Sequence, residues 1–493
     1  MANPLLFRSL LRDAPLANAS NQQGAAAFAF TPRHKLAQMV MTGCMNETFY
    51  ASGQAQLNDV LATAKDLDDL FLAQLAIYGR ERGMMKDMPA LLTAILAARG
   101  SALLPVVFTR VINNGRMLRN FVQMLRSGVT GRRSLGTRPK KLVQRWLQNA
   151  SEERLLQASV GNAPSLADIV KMVHPPEKTR ALLAFREGDM GAALPDVSFL
   201  LLTNAPLSRE QWAQLAQRMS WQTLRMNLNT LARHDVFENA TLAASVAQRL
   251  ADRAQVRQSW VYPYQLLSAW SNLQSGVPQV IREALAQAME YALENIPPFR
   301  GNVVVCPDVS GSMKSSITGY RKGETSKIRC VDVAGLIAAA VLRNHPQARV
   351  LPFECDVVDV RLDARQSVMH NAQKLAAVGG GGTNCSAPLR RLLNERARVD
   401  LVIMVSDNES WVDKSRHGST ATMECWIELK KRNPQARLVC IDLLPYGTTQ
   451  AAERSDILNV GGFSDEVFTV IDNFVNGHYG SAHWLEEIEA VTL

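Results

Sequence analysis

Asp308-Val309-Ser310-Gly311-Ser312 sets three small oxygen donors at alternate positions, directly after the apolar run Val303-Val304-Val305. Two later segments carry matching chemistry. Gly379-Gly380-Gly381-Gly382 leads into Thr383, and Leu401-Val402-Ile403-Met404-Val405 runs into Ser406-Asp407. Three such loops could meet at one edge of a parallel sheet. Carboxylates and hydroxyls are hard ligands, and an oxygen-only set suits a divalent cation such as Mg2+. Asp-Ser-Gly runs also serve as plain turn chemistry. The ordered series of strand, donor loop, glycine loop with Thr, and strand with Asp favours the metal reading. No Cys-x-x-Cys pair and no Cys/His spacing offers a zinc site.

A second chemistry is basic. No acidic residue occurs between Asp87 and Glu152. Arg99, Arg110, Arg116, Arg119, Arg126, Arg132, Arg133, Arg138, Lys140, Lys141 and Arg145 all fall in that gap. Residues 1–300 have a net charge of +11 and residues 301–493 one of −2. Regularly spaced guanidinium groups pair with phosphates bidentately and release counterions. A solvated helix face is the ordinary explanation of a charge run. The lack of acids across 64 residues favours a polyanion, RNA above all. No helix-turn-helix, zinc finger or basic zipper is present, so sequence-specific reading of duplex DNA is not expected. RNA recognised by shape and single-stranded ends suits a helical scaffold better.

These groups need elements to hold them. From about Pro32 to Asn295 the apolar spacing predicts helix after helix, as in Leu57 to Gly79, Met88 to Ala98, Val106 to Leu125 and Gln211 to Leu231. Their period, near 40 residues, is that of helical-hairpin repeats, which stack into curved solenoids. In one helix Leu118, Phe121, Val122 and Leu125 form an apolar stripe, with Arg116, Arg119 and Arg126 on another face. In the next, Pro139 can open the helix, Lys141 and Arg145 align, and Leu142 and Trp146 point inward. Gly128 to Ser134 joins the two and carries Arg132 and Arg133. Pro297-Pro298 ends the helical part, which places a first domain at 1–298 and a second at 299–493. In the second, strands are expected at Asn302–Val305, Val350–Phe353, Leu401–Val405, Leu438–Ile441 and Val467–Ile471. Helices are expected at Val331–Arg343, Ser386–Arg396 and Met423–Lys431. Alternation of this kind predicts a doubly wound α/β sheet, whose ligands bind at the carboxyl ends of strands. Pro352 is an awkward residue for a strand interior.

At 493 residues and 47% hydrophobic content the chain can bury real cores. Seven cysteines, an odd count without close pairs, suggest reduced thiols and a cytoplasmic setting. Arg8, Arg12 and Asp13 interrupt the leucines at the N-terminus, so no export signal is expected there. No run of about 18 apolar residues suggests a membrane span.

The donor series resembles the metal-ion-dependent adhesion site of von Willebrand factor A domains. That resemblance implies that Asp308, Ser310, Ser312, Thr383 and Asp407 surround one cation, with one position open to a partner's carboxylate. A basic helical region ahead of such a domain resembles the Ro family, built from a TROVE module and a von Willebrand factor A domain. Asn46-Glu47-Thr48-Phe49-Tyr50 is loosely similar to an early Gly-Thr-Tyr-Tyr-like stretch of TROVE. Gly131-Arg132-Arg133-Ser134-Leu135-Gly136, with Lys140, Lys141 and Trp146, resembles its basic helix. Ser165-Leu166-Ala167-Asp168-Ile169-Val170-Lys171-Met172-Val173-His174-Pro175 resembles TROVE most closely.

The resemblance implies a HEAT-like repeat ring with a positively charged hole. Small noncoding Y-like RNA would bind outside it, and single-stranded 3′ ends of misfolded RNA would enter it. In bacterial members an exoribonuclease, polynucleotide phosphorylase, is tethered through the Y RNA. Arg116, Arg119, Arg132, Arg133, Arg138, Lys140, Lys141, Arg145, Lys171 and His174 are the candidate RNA contacts. His174 could equally cap or pack a helix end. Gln157 and Gly161 stand where family members often carry basic residues.

Three functions follow. One is an RNA-binding scaffold for RNA quality control. Another is an adaptor whose cation grips a partner's Asp or Glu. The third, an enzyme, is disfavoured, because no phosphate loop, nucleophile elbow or general base accompanies these motifs.

Overall fold

The computed structural model describes residues 14–43, 45–151, 154–155, 164–175, 208–259, 261, 263–320, 328–412, 418–464, 466–477 and 483–493. They form two compact units that do not follow chain order. One comprises Met1–Thr63 and Ala243–Glu487, the other Ala64–Leu242 and Ile488–Leu493.

The first unit is built on a five-stranded parallel sheet. Its strands are β3 (Val303–Pro307), β4 (Arg349–Val350), β5 (Leu401–Ser406), β6 (Arg437–Asp442) and β8 (Ile457–Gly461), in the order β4-β3-β5-β6-β8. The central strands are buried along their whole length, as expected of a sheet covered on both faces. On one face Val304, Cys306, Val402, Met404, Leu438 and Cys440 pack with Leu389, Leu392, Met423 and Trp426 from helices Ala387–Asn394 and Ala421–Arg432. Helix Cys330–Asn344 packs against β3 and β5, with helix Val368–Ala376 beside it. Trp426 is fully buried and its indole N–H donates to Asp456 at 3.0 Å. Trp426→Ala is therefore expected to cost about 3–5 kcal/mol, read as a fall in the urea midpoint.

Pro352 is accommodated because β4 is an edge strand. Leu351 N–H donates to Val305 O (2.9 Å) and Phe353 N–H to Pro307 O (3.1 Å). The proline falls between them, where its absent N–H would face outward, and costs nothing. The regular strand itself spans Arg349–Val350.

The expected strand at Val467–Ile471 is a helix, Glu466–Val475. Val467, Phe468, Val470, Ile471 and Phe474 are its buried residues, a helical spacing hidden in a short apolar run. The fifth strand is β8, where Asn459 and Gly461 broke the apolar signal. Asn459 is buried at no cost, since it accepts from Thr449 Oγ1 (3.0 Å) and donates to Ala451 O (3.0 Å).

A small antiparallel sheet adds β1 (Ala19–Ser20), β2 (Ala26–Ala29) and β7 (Thr448–Thr449). Phe28 of β2 sits in the same core as Trp426. Helix Gln279–Ala292 also belongs to this unit. Its Glu290 accepts from Val368 N–H (2.9 Å) and pairs with Arg343 (3.1 Å).

The second unit is helical among its described residues. Helices Asp69–Glu81, Asp87–Arg99, Leu104–Val111 and Gly115–Arg126 pack in succession, followed by Thr137–Asn149 and Leu166–Val173. Met88 to Ala98 lies in one helix, Val106 to Leu125 is divided between two and Gln211 to Leu231 among three. Leu57 to Gly79 divides at Asp68, whose side chain caps Phe71 N–H at 2.8 Å. Helix Thr137–Asn149 starts before Pro139, which lies in the first turn, where no intrahelical donor is lost. Among the described residues no helix is long and apolar enough to cross a membrane.

Candidate metal centre and basic helix faces

Register puts the two aspartates together. Pro307 pairs with Val405 across β3 and β5, and Asp308 N–H donates to Val405 O at 2.9 Å. Asp308 and Asp407 therefore leave the sheet side by side. The Ser310 N–H donates to Asp308 Oδ1 at 2.8 Å, and Ser406 Oγ donates to Asp308 Oδ2 at 2.5 Å. Ser310 Oγ and Ser312 Oγ are 3.3 Å apart.

The glycine loop closes on this edge. Gly311 N–H donates to Gly381 O at 2.8 Å, while Thr383 O accepts from Trp411 N–H (3.1 Å) and Val412 N–H (3.2 Å). Asp308, Ser310, Ser312, Thr383 and Asp407 are thus brought to one place, and all five are buried. Gly379 has φ of +78°, and a Cβ there would lie 2.3 Å from Val309 O. Gly379→Val is expected to cost about 1–3 kcal/mol in urea unfolding by forcing this loop off the Asp308 loop.

Do these residues fit a cation? Asp407 Oδ2 is buried and has no partner among the described residues. Burial drives both carboxyls upward from their usual range, and for Asp308 the neighbouring Asp407 adds to it. No lysine or arginine among the described residues pairs with either. Two desolvated carboxylates with an orphan oxygen and adjoining hydroxyls are what a hard divalent cation would satisfy. Among the described residues no three His, Cys, Asp or Glu side chains form a metal cage, so the hydroxyls are indispensable to the set.

Sequence reasoning missed several neighbours. Ser406, Asn408, Glu409 and Ser410 are all buried, as is Asp442 at the end of β6. The signal was available: five polar residues in a row directly after an apolar strand. Asn408 adopts φ of 58°, and its side-chain amide donates to Asp442. Burial raises Glu409 to about 8, with Asp407 adding to it. Asn21 Nδ2 donates to Ser410 O (2.6 Å) and Gln22 N–H to Glu409 Oε2 (2.8 Å).

The basic residues lie in the helical unit. In helix Gly115–Arg126, Met117, Leu118, Phe121, Val122 and Leu125 are buried, while Arg116 and Arg126 are exposed and Arg119 is half-buried. In helix Thr137–Asn149, Leu142, Val143 and Leu147 are buried. Arg138, Lys141 and Arg145 are exposed there, and Lys140 is half-buried. Trp146 is only half-buried, its indole N–H donating to Ile112 O at 2.8 Å.

Some of these cations also have structural work. Arg132 donates to Ala97 O (2.9 Å), and Arg138 to Gly100 O and Ser101 O (both 3.2 Å), so both serve carbonyls at the end of helix Asp87–Arg99. Arg133 is exposed beside Gly128. Lys171 and His174 are exposed, and His174, at φ of 51°, caps its helix by donating its N–H to Val170 O at 2.9 Å. Ser165 and Asp168 of the same segment form a reciprocal capping box. Gln157 and Gly161 lie outside the described residues. Lys86, which sequence reasoning passed over, joins Arg116 and Arg80. Desolvation, then those two neighbours, lower its pKa.

Comparison with known proteins matches the chain from residue 195 to residue 475. The model of the Ro60 vWA domain matches residues 302–475, and that of the TROVE domain matches 195–348, together more than half of the chain. The chain belongs to the Ro family. Segments 46–50, 131–146 and 165–175 precede the TROVE match. Among relatives, RNA-binding protein RO60 of Deinococcus radiodurans is 26% identical over 273 residues, 52% of this chain and 49% of that protein. RNA-binding protein RO60 of Caenorhabditis elegans is 22% identical over 247 residues, 47% of this chain and 36% of that protein. The chain thus spans half or less of the curated relatives it matches. The crystal structure of the Deinococcus radiodurans RO (RSR) protein superposes with a TM-score of 0.60 at 21% identity, covering 91% of this chain and 100% of that one. This shows a shared fold: a helix-rich region followed by a von Willebrand factor A domain with a parallel central sheet.

Proposed function

We propose that this Ro-family chain is an RNA-binding ribonucleoprotein scaffold and not an enzyme. One observation carries the reading. Across the acid-free stretch the apolar stripes of two helices are buried, and Arg116, Arg126, Lys141 and Arg145 stand exposed, with Arg133 on the loop between. Among the described residues no carboxylate pairs with these five. Unneutralised cations at helical spacing fit a phosphate backbone better than solvent alone. Relatives named as RNA-binding proteins support the same reading.

In finer detail, Y-like RNA binds the outer surface of the helical region. Single-stranded 3′ ends of misfolded RNA enter a central hole, in a cytoplasmic quality-control role. Decay is carried out by a tethered exoribonuclease such as polynucleotide phosphorylase. Arg119, Arg132, Arg138, Lys140, Lys171 and His174 add contacts to the exposed set, the first four partly occupied by packing or capping. Gel shifts with structured and single-stranded RNA over a salt series test the proposal. Salt-independent or absent binding refutes it.

The second reading, a metal-dependent adaptor, rests on the orphan Asp407 Oδ2 amid buried hydroxyls. Asp308, Ser310, Ser312, Thr383 and Asp407 would hold Mg2+, which would supply a Lewis-acidic position for a partner's carboxylate. Pull-downs after RNase treatment, with and without a chelator, decide it. A partner retained in both conditions counts against it.

A further inference from the structure

We propose that the rim of the cation edge selects a peptide segment in which an acidic residue stands beside a large apolar one. The carboxylate goes to the cation position, and the apolar side chain covers Trp411 and Val412. The inference rests on the metal reading of Asp308 and Asp407 and adds the chemistry of the partner.

The five oxygen donors are buried, and the glycine loop is their border. Gly379 and Gly380 are exposed, and Gly381 and Gly382 half-buried. Trp411 and Val412 lie against the last of these glycines. A Cβ on Gly382 would sit 2.6 Å from Val412 Cγ2 and 2.8 Å from Trp411 Cζ2. The two side chains therefore rest on bare backbone, one residue from Thr383, whose carbonyl holds both of their N–H groups. Yet Trp411 is 47% exposed and Val412 36%. A tryptophan already held in place loses little freedom when a partner covers it, which suits it to anchor an interface.

Charge fits the same occupant. Lys314 reaches over the other end of the loop, where a Cβ on Gly380 would lie 2.6 Å from its Nζ. Among the described residues no carboxylate pairs with Lys314. The loop's neighbouring carboxylate, Glu354, is engaged by Gly381 N–H at 2.7 Å. Gly380 and Gly382 are at most about 7 Å apart, within the span of neighbouring side chains on an extended peptide. An acidic side chain can thus approach between an ammonium and an indole, with the next residue on the indole.

Selection of short random peptides displayed on phage tests this, on the full, RNase-treated chain in MgCl2 with elution by EDTA. Eluted peptides are expected to carry Asp or Glu beside Leu, Ile, Met, Phe or Trp. Binding of the strongest, read by fluorescence anisotropy, should fall about tenfold or more in Trp411→Ala and recover in Trp411→Phe. Acidic peptides without apolar preference, or equal binding by Trp411→Ala, overturn the inference and leave the metal reading intact. If Trp411→Ala also loses the rise in melting temperature that Mg2+ gives the native chain, the indole serves the loop's fold and the inference falls. It falls too if no peptide elutes with EDTA from a chain that Mg2+ stabilises. A native chain that Mg2+ does not stabilise overturns the metal reading and this inference with it.

Discussion

Reversing Arg116, Lys141 and Arg145 to Glu is expected to weaken RNA binding by two or more orders of magnitude at about 0.1 M salt and to flatten its salt dependence. Each phosphate contact contributes about 0.7–0.9 to the slope of log affinity against log salt, so losing three lowers it by roughly 2–3. The new carboxylates add repulsion on top. These three residues are chosen because their side chains are exposed while the opposite faces of their helices are buried. Arg132 and Arg138 are poor choices, since each holds carbonyls at the end of helix Asp87–Arg99 and its loss would disturb packing. Circular dichroism should show an unchanged fold. Native affinity in the variant, with an unchanged slope, would remove these faces from the RNA path.

On the proposed metal reading Mg2+ stabilises the chain, and Asp308→Asn is expected to abolish that stabilisation. For the native chain, a cation at a hundred times its dissociation constant stabilises by about 2.7 kcal/mol. The variant keeps an acceptor for Ser310 N–H and removes one of two buried like charges. Cation-free, it should melt no lower than the native chain, because repulsion with Asp407 is relieved. With cation it should not rise. Melting curves with and without MgCl2 separate the two effects. A variant that still rises with Mg2+ would place the cation elsewhere.

Where the sequence could be read, period and punctuation made it legible. The strand β3 breaking into Asp308, and β5 breaking into Asp407, gave the edge of the sheet directly, because buried parallel strands are continuous apolar runs. The partners of that edge were not legible. Asn21 and Gln22 lie 389 and 387 residues from their partners Ser410 and Glu409, and no local pattern announces a contact of that range. Val467–Ile471 and Ile457–Gly461 were exchanged because a five-residue apolar run does not distinguish strand from helix. An asparagine that solves its own hydrogen bonding in a buried strand leaves no period to detect. Ser165 and Asp168 illustrate a different limit. A segment quoted for its family likeness proves to be a helix start, so likeness there reflects folding chemistry as much as ligand contact.

The pairing of β2 with β7 has a consequence during synthesis. Ala26–Ala29 leaves the ribosome some 400 residues before Thr448–Thr449, a wait of roughly 20–90 s at 5–20 residues per second. For that interval Phe28 and the open strand edge have no native neighbour, while the intervening helices can already fold locally. A fragment cut after residue 298 makes the wait permanent: it carries an orphan β-ribbon, an invitation to edge-to-edge aggregation.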